Sequence, residues 1–246
     1  MIDLWDRLRM RSDDRYLVLG DSGCGKSFYA DRLRSDYQYR YNAPALIVDS
    51  KPDYAPGRDW HRKNPGWSEM KDLPDAILVT DPDDLRRRMR DKTPHLYVVQ
   101  GGSESDYPRL LATAAAFYED SRGIARVLHV DETMDFFHAN GSPKGGIDIL
   151  RRTARSARSR NCGIIYCAQR TKGFHPDIRA EMSKAAFFAM LDREDRKIGA
   201  RFGIPIDWPE QDRWFQFWTR ERRSSIFGPF RLRASQSSSS SSGTRQ

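Results

Sequence analysis

The stretch Gly20-Asp21-Ser22-Gly23-Cys24-Gly25-Lys26-Ser27 decides the reading of this chain. It fills every position of the pattern G-x-x-x-x-G-K-[ST]. The glycines permit positive φ and let the backbone wrap an anion with successive N–H donors. Lys26 brings a mobile positive charge to the β- and γ-phosphates of a nucleotide, and the Ser27 hydroxyl is a ligand type for Mg²⁺. A helix beginning at this point turns its positive end toward the same anion. The flanks agree: Tyr16-Leu17-Val18-Leu19 reads as a buried strand before the loop, and residues 26–35 read as a helix after it. The segment therefore predicts binding of ATP with Mg²⁺, with Gly20 through Ser27 as the cradle.

Outward from the loop, apolar runs alternate with polar helical stretches. Strands are expected at 45–49, 76–79, 95–99, 127–130 and 163–168. Helices are expected at 82–91, 107–122 and 147–160, with two further strands (185–191 and 214–218) around a helix at 193–201. This alternation predicts an α/β fold, a mainly parallel sheet sandwiched by helices. Leu4, Trp5 and Leu8 share one face of a short helix expected at 3–10. The organisation expected is an N-terminal helical extension over 1–14, one ATPase domain over 15–234, and a disordered serine-rich tail over 235–246. Residues 51–75 carry prolines, glycines and tryptophans without periodicity and read as a long decorated loop. Trp5, Trp208, Trp214 and Trp218 are expected to pack in the core or at an interface.

The chain has 246 residues, a net charge of +8 and a pI near 9.5, with 38% hydrophobic and 31% charged residues. That length supports one well-buried domain. No run reaches the roughly 18 apolar residues of a membrane helix, and the N-terminus lacks the basic and apolar regions of a secretory signal, so the expected location is cytosolic. The basic balance permits nucleic-acid binding, with the compositional bias of an arginine-rich genome as the alternative reading. Cys24, Cys162 and Cys167 form no CxxC pair and are expected as buried, reduced thiols. The histidines show no zinc-site spacing.

A second group of candidates closes the run Val127-Leu128-His129-Val130-Asp131-Glu132. Asp131 is expected to hold the Mg²⁺ shell, mostly through water. Glu132 is expected to polarise the attacking water as general base. Gln169, at the end of the strand 163–168, could reach the γ-phosphate or its water.

With these residues in view, the chain resembles the FtsK/HerA superfamily of P-loop ATPases. The segment Arg160-Asn161-Cys162-Gly163-Ile164-Ile165-Tyr166-Cys167-Ala168-Gln169-Arg170 is similar to the part of those translocases in which an arginine precedes a G-I strand ending in T-Q-R. The order of phosphate loop, strand ending in Asp49, D-E strand and Q-R strand also matches. Ala185-Ala186-Phe187-Phe188 and the following Asp192-Arg193-Glu194-Asp195 resemble the family's next strand and turn. The resemblance spans residues 15–203, with Ala168 and Thr171 standing where the family usually has threonine and proline. It implies a RecA/FtsK-HerA-like core and a homo-oligomeric ring, hexameric or pentameric, that moves double-stranded DNA. The bare core is most similar to the A32-like genome-packaging ATPases of viruses and phages. That likeness implies a virus-encoded protein acting in the host cytoplasm or with the virion, capsid vertex proteins as partners, and no stable membrane insertion.

The resemblance further implies Arg160 as the cation lent to a neighbouring subunit, with Arg155 and Arg158 in reserve. The loop His138-Ala139-Asn140-Gly141-Ser142-Pro143-Lys144-Gly145-Gly146 reads as a pore-lining segment or as an ordinary surface loop. Arg58-Asp59-Trp60-His61-Arg62-Lys63 reads as a nucleic-acid contact, a subunit interface or loop decoration. A second functional reading is an envelope-associated assembly or secretion ATPase of Zot-like kind, moving protein or single-stranded phage DNA. A third is a nucleotide switch that recruits partners, against which Glu132 argues, since a switch needs no dedicated base.

Overall fold

A computed structural model describes residues 8–51, 54, 76–91, 93–120, 123–137, 146–170, 176–189, 192–200, 216–221 and 226–231. Five expectations lie outside these residues: residues 3–7 of the opening helix, the loop over 55–75 with its Arg58–Lys63 stretch, the 138–145 loop with Lys144, Trp208 and Trp214, and the serine tail.

Nine strands form one sheet. In chain order they are β1 (Arg15–Leu19), β2 (Ala45–Asp49), β3 (Ile77–Val79), β4 (Leu96–Gln100), β5 (Arg126–Val130), β6 (Cys162–Ala168), β7 (Lys184–Phe187), β8 (Gln216–Glu221) and β9 (Ile226–Arg231). Their spatial order is β3-β4-β2-β5-β6-β1-β7-β8-β9. The seven from β3 to β7 pair in parallel, while β8 and β9 extend the sheet antiparallel beyond β7. The helices are α1 (Lys26–Tyr41), α2 (Pro82–Arg88), α3 (Tyr107–Glu119), α4 (Met134–Phe137), α5 (Gly146–Ser156), α6 (Pro176–Glu181) and α7 (Arg193–Ala200).

Strand residues alternate between two cores because side chains leave a strand on opposite faces. Leu17, Leu46, Tyr97, Leu128 and Tyr166 pack on one face with Leu85 of α2, Leu110 of α3 and Leu150 of α5. Val18, Ile47, Val98, Val127 and Ile165 pack on the other with Tyr29, Leu33 and Tyr37 of α1. β2, β5 and β6 are buried along their whole length, as strands covered on both faces must be. All three cysteines are buried and free.

Most boundaries agree with the sequence, and the differences have local causes. α1 runs six residues beyond 35, to Tyr41, and stops where Asn42 takes a left-handed φ of 47° and returns its N–H to Gln38. The helix expected over 147–160 ends at Ser156, and Arg158–Arg160 form a 3₁₀ turn closed by Asn161 at φ 51°. The strand expected to reach 191 ends at Phe187. β9, which contains Gly228 and Pro229, was not anticipated. It lies at the edge of the sheet, where a proline can be accommodated.

Candidate functional site

Parallel pairing carries the C-terminal ends of β2, β5, β6 and β1 side by side. Asp49 closes β2, Asp131 and Glu132 follow β5, Gln169 follows β6 and the glycine loop follows β1. Four segments distant in sequence thus meet at one edge, the usual location of ligand sites in open α/β sheets.

The loop is a tight fit. Gly20 has φ +154°, and a Cβ there would come within 2.5 Å of Phe188 Cβ and 2.8 Å of Cys24 Sγ. Gly25 caps α1 in the left-handed region at φ 96°, turning the first free N–H groups of the helix toward the loop. The Gly20 and Asp21 N–H groups donate to Ala168 and Ala189 oxygens at 3.2 and 2.7 Å, pinning the loop between β6 and the segment after β7. Burial pushes the Cys24 thiol up to about 11, which keeps it an inert, protonated filler. Lys26 is buried and its Nζ lies 3.8 Å from Glu132 Oε1, while Ser27 is half-buried next to it.

Asp131 and Glu132 differ in character. The Asp131 N–H donates to Val48 O at 3.0 Å, and its carboxylate is buried. Burial pushes the Asp131 carboxyl up to about 7; Lys26 opposes the shift, and the carboxylates of Glu132, Asp49 and Asp31 reinforce it. Its Oδ1 is buried without a hydrogen-bond partner among the described residues. An orphaned carboxylate oxygen in a raised-pKa site fits a group waiting for a cation. Asp131, with the Ser27 hydroxyl, therefore fits the hard, oxygen-seeking Mg²⁺. Glu132 holds a left-handed φ of 47°, uncommon for a residue with a side chain. Its two oxygens face two ammonium groups, Lys26 at 3.8 Å and Lys51 at 3.4 Å.

Asp49 is not part of the acidic pair. Its Oδ2 accepts from the Tyr54 N–H at 3.0 Å and Gln100 Nε2 at 3.1 Å, and its Oδ1 accepts from the Lys51 N–H at 3.1 Å. It anchors the chain leaving β2. Beneath the site lie Asp31 and Arg34 of α1 and His129 of β5, all buried. Arg34 NH1 donates to Gln38 Oε1 at 2.5 Å and its Nε to Asp31 Oδ1 at 3.4 Å. Burial pushes Asp31 up to about 6 against the pull of Arg34, and holds His129 down to about 3. His129 Nε2 lies 3.4 Å from Cys167 Sγ.

Gln169 is half-buried at the C-terminal end of β6, on the edge of the site. Arg160 is exposed at the other end of the same strand, where NH1 donates to Glu119 O at 3.4 Å and the guanidinium lies 5.8 Å from the Tyr118 ring centroid. β6 is seven residues long, so Arg160 stands roughly 20 Å from its own phosphate loop. The other arginines of this stretch are ion-paired within the chain: Arg151 with Asp177, Arg152 with Glu119, Arg155 with Asp177 and Glu181, and Arg158 with Asp13.

Two features escaped the sequence reading, Lys51 beside Glu132 and the buried Asp31–Arg34–His129 group. Lys51 lies just past the strand ending at Asp49, and the adjacency of β2 and β5 is the signal that brings the two together. Nothing in the spacing of Asp31 and Arg34 marks them as buried, because α1 carries polar residues on all sides.

No protein-family model and no curated protein matches the sequence. Solved structures do. The genome-packaging NTPase B204 of Sulfolobus turreted icosahedral virus 2, in complex with AMP, aligns with a TM-score of 0.64 at 15% identity, over 91% of this chain and 100% of that one. Its complex with ATP-gammaS aligns with a TM-score of 0.61 at 16% identity, over 89% and 99%. The cytoplasmic domain of the type VII secretion ATPase EccC of Thermomonospora curvata aligns with a TM-score of 0.50 at 15% identity, over 87% of this chain and 23% of that one. The fold is that of a P-loop NTPase, and the structures it resembles include the kind of packaging ATPase that the sequence resembles.

Proposed function

We propose that this protein hydrolyses ATP and uses the energy to move double-stranded DNA, as the packaging motor of a virus or phage. The observation that carries the reading is the convergence of Lys26, Ser27, Asp131, Glu132 and Gln169 at one sheet edge, each with the side chain its role requires. The near-complete overlap with B204, which is a genome-packaging NTPase, supports the DNA substrate.

In this reading the N–H groups of Gly20 through Ser27 and the start of α1 bind the triphosphate, and Lys26 moves from Glu132 to the β- and γ-phosphates. Ser27 and, mostly through water, Asp131 would hold Mg²⁺, which would screen the phosphate charge. Glu132 accepts a proton from the water that attacks the γ-phosphorus, and the β–γ bridging oxygen leaves with the bond electrons as ADP. Gln169 orients that water or senses the γ-phosphate. Arg160, too far from its own loop, is the cation for a neighbour's γ-phosphate, so turnover requires a homo-oligomeric ring, hexameric or pentameric. DNA is held through its phosphates and binding is weakened by salt. The domain spans residues 15–234, and the motor acts in the host cytoplasm, docked at a capsid vertex. Among the described residues no helix is long and apolar enough to cross a membrane.

The likeness to EccC favours a second reading, a motor of secretion or assembly. Displacement of a labelled third strand from linear duplex DNA separates the two. ATP-dependent displacement supports the packaging reading. Hydrolysis of ATP without displacement favours the secretion reading.

A further inference from the structure

His129 and Cys167 have no part in the chemistry just described, yet both lie buried beside Asp131. A His129 ring nitrogen, Cys167 Sγ and an Asp131 carboxylate oxygen all lie within 4.8 Å of one another. No spacing in the sequence marks the group, because its members come from two strands. The parallel pairing of β5 with β6 sets His129 opposite Ile165, so Cys167 stands beside the end of β5 on the same face of the sheet.

Two observations separate the cluster from an ordinary polar core. His129 Nε2 lies 3.4 Å from Cys167 Sγ, and tetrahedral bonds of about 2.0 and 2.3 Å set an imidazole nitrogen and a thiolate sulfur about 3.6 Å apart. Asp131 Oδ1 and His129 Nδ1 are both buried with no hydrogen-bond partner among the described residues. Nδ1 lies 3.8 Å from Asp31 Oδ1, the place of the carboxylate that orients a metal-bound imidazole. With the proton on Nδ1, facing Asp31, Nε2 offers its lone pair toward the sulfur. A thiolate and a carboxylate together neutralise a divalent charge. Sulfur and imidazole select Zn²⁺ and similar borderline ions over Mg²⁺, which takes oxygen.

We infer that His129 Nε2, Cys167 Sγ and the Asp131 carboxylate form a binding site for Zn²⁺ or a similar borderline divalent cation, which competes with Mg²⁺ for Asp131. Three protein ligands leave a fourth position for water. Burial pushes the Cys167 thiol well up, and Asp131 adds to the shift. Binding therefore exchanges the S–H bond for a sulfur–metal bond and releases the proton to solvent. Asp131 follows β5 at the nucleotide edge, which gives the cation its way in. The cluster exists whatever the reaction; its effect on turnover rests on the proposed role of Asp131 with Mg²⁺. An ion held here blocks hydrolysis by occupying Asp131.

The test is titration of the chelator-stripped protein with Co²⁺ alone, a spectroscopic stand-in for Zn²⁺, without nucleotide. Wild type should show a thiolate-to-cobalt charge-transfer band and visible absorption of tetrahedral strength, both displaced by Zn²⁺. Cys24→Ala and Cys162→Ala should keep the band and Cys167→Ala should lose it, with Cys167→Ser as a second variant should alanine disturb folding. Asp31→Asn should weaken Co²⁺ binding by about 10-fold or more. No band in folded wild type, or a band that survives in folded Cys167→Ala or Cys167→Ser, overturns the inference. In Mg-ATP turnover, Zn²⁺ should inhibit wild type at about 10-fold lower concentration than Cys167→Ala; equal sensitivity overturns the competition. Absence of turnover in wild type would instead defeat the hydrolysis reading, and the cobalt band still decides the site.

Discussion

Asp131 and Glu132 are neighbours in sequence with opposite surroundings. Asp131 is desolvated, with one oxygen unpartnered among the described residues, while Glu132 faces two ammonium groups. The account assigns them separable roles. Glu132→Gln should keep ATP affinity within a few-fold and lower turnover by about 10²–10⁴-fold, the usual contribution of a general base. Lys26→Ala should lose nucleotide binding itself, measured by titration calorimetry with a non-hydrolysable analogue. Deeper under the site, Asp31 and His129 respond to pH in opposite senses. Asp31 is raised to about 6 when folded, above its unfolded value of about 3.9. Its contribution to stability is present below pH about 4 and is lost as pH rises through about 6. His129, held down to about 3, contributes above pH about 6.5 and loses that contribution as pH falls. Asp31→Asn isolates the first effect. From pH 4 to pH 7 the variant should gain on wild type by up to about 3 kcal/mol in denaturant melts; a constant difference would contradict the assignment.

At the scale of elements, the site is a product of strand order. The glycine loop was legible because all its determinants lie within eight consecutive residues, and the D-E pair because an apolar run leads straight into it. Gln169 was legible from its place at the end of an apolar strand, whereas Arg160 was found only through the resemblance, since it carries no local signal. Lys51 was missed because its meaning depends on β2 lying beside β5, which no short-range pattern encodes. β9 was not anticipated; at the sheet edge it tolerates the Gly228-Pro229 pair that would break an interior strand. Two substitutions test how elements hold the site. Gly20→Ala would set a Cβ 2.5 Å from Phe188 Cβ at a φ of +154°. It should cost about 1–3 kcal/mol and weaken nucleotide binding together with stability. Tyr166→Phe removes a buried hydroxyl bonded to Thr153 Oγ1 at 2.9 Å and Leu150 O at 3.2 Å. It should destabilise the packing of α5 on β6 by about 1 kcal/mol and leave the Michaelis constant for ATP unchanged.

For the whole molecule, the proposed motor divides its catalytic groups between subunits. Arg160 is exposed at the sheet end opposite its own phosphate loop, whereas its neighbours Arg151, Arg152, Arg155 and Arg158 are tied to acids of the same chain. Arg160→Ala should lower turnover by about 10³-fold, the low end for a finger supplied in trans, without loss of ATP binding. Mixing it with Lys26→Ala should restore part of the activity, because an interface that sets the loop of an Arg160→Ala subunit against the arginine of a Lys26→Ala subunit has both groups intact. Two inactive variants that stay inactive together would remove Arg160 from that role. The most direct test of the central claim is Mg-ATP hydrolysis by wild type and Glu132→Gln, with and without double-stranded DNA. The account predicts strong stimulation of wild type by duplex and no stimulated hydrolysis in Glu132→Gln. Wild-type hydrolysis indifferent to duplex DNA would contradict it.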